Sequence, residues 1–193
     1  CRSAHCAIDG ILEIREQMER RMGLQIQNKP EAEILARQIR AIEIDTYLVG
    51  YKQCAVSDGC LHPKTILDAK FSTPYSVSAA FLYGTVGMEQ FESEVVFDPA
   101  VQNLLEKVTV HPADRFTEQY PKHWGCHVKV TMQDGTVYEA EVKDPSGSVA
   151  RPLSREQAMK KAEEFLSVVC PGRVTETIEE LLNLESRNML PSI

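Results

Sequence analysis

The 193-residue chain lacks several features that would point to whole classes of protein. It has no apolar run of the 18 or more residues that a membrane helix needs, so we expect no membrane partner. It has no block of basic residues, and its 28 acidic against 21 basic residues give a net charge of −7. Phosphate contacts would have to form against that overall field, so we expect no nucleic-acid partner.

Three short motifs that indicate particular catalytic or phosphate-binding sites are also missing. There is no glycine-rich phosphate loop, no Gly-x-Ser-x-Gly nucleophile elbow and no zinc-protease helix motif. The cysteines are spread along the chain in a sequence long enough to build a core without disulfides, at positions 1, 6, 54, 60, 126 and 170. We therefore expect reduced thiols and a cytoplasmic location.

The apolar spacing predicts an α+β fold. A helix is expected from Ala4 to about Arg21, a short helical turn from Asn28 through Leu35, and a strand from Ile39 to about Leu48. Turn-forming residues then predict a loop over 50–64, with a single helical turn from Thr65 to Ala69.

Ser72, Thr73 and Pro74 form a strong helix start, and the helix should run, almost wholly buried, to Tyr83. The second half predicts a helix from Pro99, a strand at 108–110, a hairpin of strands 124–132 and 136–142 around an Asp-Gly turn, and two closing helices. The expected architecture is a small, largely antiparallel sheet with helices packed on one face.

Three polar clusters are candidates for chemistry. His5 and Asp9 lie one helical turn apart, so the carboxylate could orient the imidazole, or the two could form an ordinary surface pair. Lys70 and Tyr75 flank the helix start at Pro74, where free N–H groups could bind an anion; the alternative is a capped core helix beside an exposed lysine.

The third cluster is His123, Cys126 and His127, which could hold a metal ion. Alternation along a strand places Cys126 and His127 on opposite faces, and no second Cys/His pair has matching spacing. We therefore expect no metal site, with a metal-binding module as the alternative.

An ordered set of segments resembles the MmgE/PrpD family. The first matches the pattern CRxxHxAID, and the complete set is CRSAHCAID at 1–9, IEIDTY at 42–47, AKFSTPYSVSAA at 69–80, DPAV at 98–101, VKDPSG at 142–147 and PLS at 152–154. The resemblance covers nearly the whole chain. It implies the smaller, C-terminal α+β lid domain of proteins that also have a large N-terminal all-helical domain.

The resemblance also implies a domain organisation. Residues 1–193 would form a single C-terminal domain, with 1–22 as the helix at the domain junction and 173–193 as a closing helix and tail. The chain starts in a helical pattern without Met or a lead-in, so we expect it to be a piece of a longer chain. The N-terminal helical domain would be a partner, and the full-length protein would be a homodimer.

The activity that the resemblance implies is a lyase reaction without metal or other cofactor. Family members move a proton on a carbon next to a carboxylate of a small di- or tricarboxylate, with loss of water, loss of CO₂ or inversion. The resemblance places His5 and Tyr75 as catalytic residues and Cys1 at the substrate; to these we add Arg2 and Lys70 as nearby cations for substrate carboxylates. We expect a 2-methylcitrate dehydratase-like protein of propionate metabolism, with a decarboxylase, an epimerase or a non-catalytic carboxylate-binding module as alternatives.

Overall fold

The computed structural model describes residues 1–186, so the last part of the expected tail lies outside the described residues. The chain divides into two compact units, the first covering Cys1–Ser146 and the second beginning at Gly147. That all 193 residues act as a single domain stays a prediction.

The first unit opens with the helix that the sequence predicted. A 3₁₀ turn at Arg2–Ala4 leads into α1, His5–Met22, which ends where Gly23 adopts the left-handed conformation at φ 63°. Glycine adopts this conformation without a steric penalty because it has no Cβ, which explains why the helix ends here. Ile11, Ile14 and Met18 recur at helical spacing and are fully buried.

The next segments differ more from expectation. Helix α2, Lys29–Gln38, begins at the Asn28 cap and is a turn longer than predicted, and strand β1, Ile39–Thr46, follows it directly. The predicted loop over 50–64 is wrong, because that stretch holds most of α3, Leu48–Cys54, and all of α4, Asp58–Leu61. The predicted turn at 65–69 is confirmed as α5, Ile66–Lys70.

The buried helix at the centre of the unit is confirmed as α6, Thr73–Tyr83. The Ser72 hydroxyl accepts the Tyr75 N–H at its start, and Gly84 ends it at φ 72°. Every residue from Thr73 to Leu82 is buried. Helices α7, Ser93–Val96, and α8, Pro99–Leu105, lead to β2, Val108–Pro112, and α9, Asp114–Thr117.

The hairpin closes a four-stranded sheet. Strands β3, Cys126–Met132, and β4, Val137–Val142, give the order β2-β1-β3-β4. β1 pairs antiparallel with β3 and β3 with β4, whereas β1 and β2 are parallel, so the sheet is mixed although mostly antiparallel.

One face of the sheet carries the core. The row Val108, Ile42, Val130 and Tyr138 runs across all four strands and is buried. Helix α1 packs on this face over β3 and β4, and α6 packs near β2. The opposite face carries half-buried or exposed polar residues, among them Glu43, Lys129 and Glu139. The α+β fold class with helices packed against the sheet is therefore confirmed.

The second unit contains the two predicted closing helices. Helix α10, Arg155–Val169, starts with a capping box in which Ser154 and Gln157 satisfy each other's backbone N–H groups. Helix α11, Val174–Leu182, is followed by a 3₁₀ turn at Leu184–Ser186. Among residues 1–186, no helix is long and apolar enough to cross a membrane.

Candidate functional site

The structure brings two of the sequence segments that carry candidate site residues into contact. The backbone nitrogen of Cys1 donates a hydrogen bond to the carbonyl oxygen of Lys70 over 3.0 Å, across 69 positions of sequence. Cys1, Arg2 and Lys70 are all exposed. The two cations proposed for carboxylate binding therefore lie on neighbouring segments at the surface of the first unit.

Both cations lie over aromatic rings. The guanidinium carbon of Arg2 is 5.1 Å from the centre of the Trp124 ring, and the ammonium of Lys70 is 6.0 Å from that of Phe91. Within residues 1–186, neither cation forms an ion pair with a carboxylate. Their N–H donors remain available to an anionic ligand.

His5 is the first residue of α1 and is exposed. Asp9, one turn further along, accepts a hydrogen bond from the backbone N–H of Ser146 over 2.7 Å. The carboxylate therefore ties the start of α1 to the segment that follows β4, a contact that the sequence spacing did not predict.

Tyr75 is placed differently from the other candidates. Its side chain is fully buried, and its hydroxyl donates to the carbonyl oxygen of Gln90. Burial raises the pKa of the Tyr75 phenol well above its ordinary value. The Phe91 ring that lies under Lys70 also contacts the Tyr75 ring, with centres 5.8 Å apart. Tyr75 is thus one layer beneath the surface that carries Lys70.

The N-terminus of α6 is not an exposed anion cradle. Ser72, Thr73 and Pro74 are buried, and the Tyr75 N–H is satisfied by the Ser72 hydroxyl over 3.0 Å. The Ser72 hydroxyl in turn donates to the carbonyl oxygen of Cys60. The anion-binding interpretation of this helix end is wrong, and the structure has its alternative: a capped core helix beside an exposed lysine.

His123, Cys126 and His127 do not form a ligand set. Cys126 is buried in the core beside Cys6, His127 lies on the opposite face of β3, and Nδ1 of His123 is 2.9 Å from the Asp144 carboxylate. Among residues 1–186, no group of three or more His, Cys, Asp or Glu side chains could hold a metal ion. All six cysteines are free thiols in the described structure.

Sequence reasoning missed the aromatic residues of the site. Neither Trp124 nor Phe91 is among the candidate residues that the sequence indicates. The available signal was that Trp124 is the one tryptophan of the chain and adjoins a predicted strand start. Neither fact indicates that Arg2, 122 positions away, would lie on its ring.

The first unit is an α+β domain with an exposed histidine, His5, and two exposed cations, Arg2 and Lys70, that have no carboxylate partner among residues 1–186. The chain belongs to the MmgE/PrpD family: residues 1–185 match the profile of the MmgE/PrpD C-terminal domain.

Several named proteins are similar to this chain. Cis-aconitate decarboxylase of Mus musculus is 30% identical over 136 residues, which are 66% of this chain and 27% of that protein. A 2-methylcitrate dehydratase-like protein of Aspergillus oryzae is 28% identical over 90% of this chain and 35% of its own length. The mitochondrial 2-methylcitrate dehydratase of Yarrowia lipolytica is 27% identical over 60% of this chain and 23% of its own length. The matched regions are thus between about a quarter and a third of these relatives.

Proposed function

We propose that this chain is the C-terminal domain of a cofactor-independent lyase that acts on small di- or tricarboxylates, most closely a 2-methylcitrate dehydratase. The observation that carries the proposal is that Arg2 and Lys70, two cations without carboxylate partners among the described residues, lie on segments joined by the Cys1–Lys70 hydrogen bond. The names of the relatives support the substrate class.

The proposed reaction requires groups that bind the carboxylates of the substrate and a base that removes its proton. Arg2 and Lys70 would hold the substrate carboxylates in place while a base takes the proton from the neighbouring carbon. His5 would take that proton from the carbon. The hydroxyl on the adjacent carbon would then be protonated and leave as water. The product is an unsaturated acid, and the reaction needs no oxidant or reductant.

Cys1 and Tyr75 have narrower proposed roles. The ordinary pKa of a thiol is higher than that of an imidazole, so Cys1 would carry protons poorly at neutral pH, and we assign it to substrate binding. Tyr75 remains a proposed catalytic residue. Because its hydroxyl is buried on the Gln90 carbonyl, it would reach substrate only after the turn Glu89–Phe91 moves.

Other parts of the proposal concern the protein that carries this chain. We propose that an N-terminal helical domain supplies the rest of the acid and base groups, that the full-length protein is a cytoplasmic homodimer of propionate metabolism, and that this chain alone is inactive. These parts derive from the family resemblance and from the fraction of each relative that the chain matches.

The test is turnover of 2-methylcitrate by the full-length protein, followed through the ultraviolet absorbance of the unsaturated product. We expect conversion by that protein and none by this chain alone. Tyr75→Phe should lower turnover at least tenfold; wild-type turnover by Tyr75→Phe would remove the phenol from the catalytic set. Appreciable turnover by the chain alone would contradict the division of the site between domains.

A second candidate is decarboxylation of cis-aconitate, favoured by the 30% identity with the mouse decarboxylase. Release of CO₂ from cis-aconitate, without conversion of 2-methylcitrate, would select it. Inversion at the carbon without loss of water or CO₂ would select an epimerase. Binding of tricarboxylates by the full-length protein without any product would select a non-catalytic module.

A further inference from the structure

Arg2 is held in an unusual way for an exposed arginine in an acidic chain. With 28 Asp and Glu residues available, its guanidinium nevertheless has no carboxylate partner among residues 1–186 and instead lies 5.1 Å from the centre of the Trp124 ring. A carboxylate partner would have neutralised the cation. An aromatic face attracts the cation and orients its plane but leaves the charge and the N–H donors free.

Trp124 is itself firmly supported. Its indole N–H donates to the carbonyl oxygen of Pro121 over 3.1 Å. The edges and faces of Tyr47 and Tyr120 contact its ring at centre distances of 5.6 and 5.3 Å, and these two tyrosines stack on each other at 4.7 Å. Tyr47 is fully buried, so the stack connects Trp124 to the core.

Lys70 repeats the arrangement on the neighbouring segment. Its ammonium lies over Phe91, whose ring packs on the buried ring of Tyr75. Each of the two cations therefore lies over an aromatic ring, and each ring packs against a buried tyrosine.

We infer that Trp124 is a positioning residue, which holds the Arg2 guanidinium ready for a substrate carboxylate, and that Phe91 does the same for Lys70. The inference rests on the proposed function for the identity of the ligand as a small polycarboxylate. Preorganisation of this kind increases affinity because the side chain loses less freedom when the ligand binds.

The experiment uses tricarballylate, a tricarboxylate without the hydroxyl group that dehydration requires. Binding to this chain is measured by calorimetry, and by the emission of Trp124, the single tryptophan. We expect saturable binding with a change in emission. Trp124→Leu should weaken binding about two- to fivefold, the usual size of an exposed cation–π contact, and Trp124→Tyr should restore most of it.

Two variants of Arg2 separate the effect of the Trp124 contact from the effect of the positive charge on Arg2. Arg2→Met should weaken binding at least tenfold and abolish the emission change while the Trp124 stack stays intact. Arg2→Lys should keep the charge but lose the planar stacking, and should bind about as weakly as Trp124→Leu. Far-UV circular dichroism of each variant checks that it is folded.

A kinetic readout distinguishes positioning from general damage. In the full-length protein, Trp124→Leu should raise KM with little change in kcat, because Arg2 would bind ground state and transition state alike. A fall in kcat at unchanged KM would overturn the inference. Equal tricarballylate affinity of wild type and Trp124→Leu would overturn the inference that Trp124 positions Arg2, and would leave the carboxylate role of Arg2 unaffected. Absence of binding by both this chain and the full-length wild-type protein would contradict the carboxylate role of Arg2 and, with it, the proposed function.

Discussion

The guanidinium of Arg15 in α1 donates a hydrogen bond of 2.6 Å to the carbonyl oxygen of Phe81 in the last turn of α6. A second donor of the same group reaches the carbonyl oxygen of Ile26 over 2.8 Å. Arg15 is only 8% exposed, and burial lowers its pKa from the usual arginine value. This cation fixes the helix that begins at His5 against the helix that carries Tyr75.

Replacement of Arg15 should therefore be costly. Arg15→Met leaves two buried carbonyl oxygens without charged donors, and we expect the free energy of unfolding to fall by about 3 kcal/mol. Denaturant unfolding followed by Trp124 emission measures the change in the first unit. Arg20→Met, on an exposed side chain of the same helix, is the control and should cost under about 0.5 kcal/mol. Equal losses in the two variants would contradict the assigned role of Arg15.

Gly10 sets the distance between α1 and the sheet. A Cβ at this position would lie 2.7 Å from Cγ2 of Val128, a stiff β-branched side chain on β3. Overpacking costs about 1–3 kcal/mol, which exceeds the gain of up to about 1 kcal/mol from alanine in a helix. Gly10→Ala should lower the unfolding free energy by about 1 kcal/mol in the same denaturant assay. Gly172→Ala, where nothing lies within 4 Å of the new Cβ, should be tolerated; a stabilised Gly10→Ala variant would refute the close packing.

Asp9 should protect the backbone of Ser146. Asp9→Ala removes the acceptor of the 2.7 Å hydrogen bond, and we expect exchange of the Ser146 amide hydrogen to become about tenfold faster. Asp9→Asn keeps an acceptor oxygen and should have a smaller effect. Glu13→Ala, on an exposed residue of the same helix, serves as the control. Unchanged exchange in Asp9→Ala, measured by NMR, would show that the contact does not persist in solution.

Alkaline pH should destabilise the first unit through two buried groups. Burial raises the pKa of the Cys54 thiol from 9.0 to about 11 and that of the Tyr47 phenol from 10.0 to about 12. In both, the folded state holds its proton more tightly than the unfolded state does. The stabilisation is therefore complete below pH ~9 and is lost as pH rises through ~9 to ~12.

Unfolding free energies measured across this range should fall with pH, and Tyr47→Phe should flatten the part above pH ~10. For each protein, the measured quantity is the change of its own unfolding free energy with pH. A pH-independent effect of the substitution on stability therefore does not alter the comparison. Parallel curves for wild type and Tyr47→Phe would mean that Tyr47 does not contribute.

Local signals made parts of the fold predictable. Gly23 and Gly84 end α1 and α6 where the sequence placed the ends, and Ser72 caps α6 as its hydroxyl suggested. The helices α3 and α4 were missed because Ser57, which caps α4, and His62 before Pro63 also resemble turn residues in isolation. The parallel pairing of β1 with β2 depends on packing across the unit, on which local periodicity carries no information.

The sequence supplied candidate residues for the site but did not indicate how they are arranged. The family resemblance selected Cys1, His5 and Tyr75, to which Arg2 and Lys70 were added as nearby cations, and the structure places Cys1 beside Lys70. The sequence gives no measure of depth, so the burial of the Tyr75 hydroxyl on the Gln90 carbonyl was not foreseen. The aromatic support of Arg2 by Trp124 joins residues that are far apart in the chain and that form no motif.

The most direct test of the proposed function is the kcat of His5→Ala for 2-methylcitrate in the full-length protein. General acid–base groups contribute about 10²- to 10⁴-fold, so we expect kcat to fall at least about 100-fold with a nearly unchanged KM. His111→Ala is the control, because His111 is exposed on the polar face of the sheet, and it should keep wild-type turnover. Wild-type turnover by His5→Ala would contradict the claim that this exposed histidine moves the substrate proton.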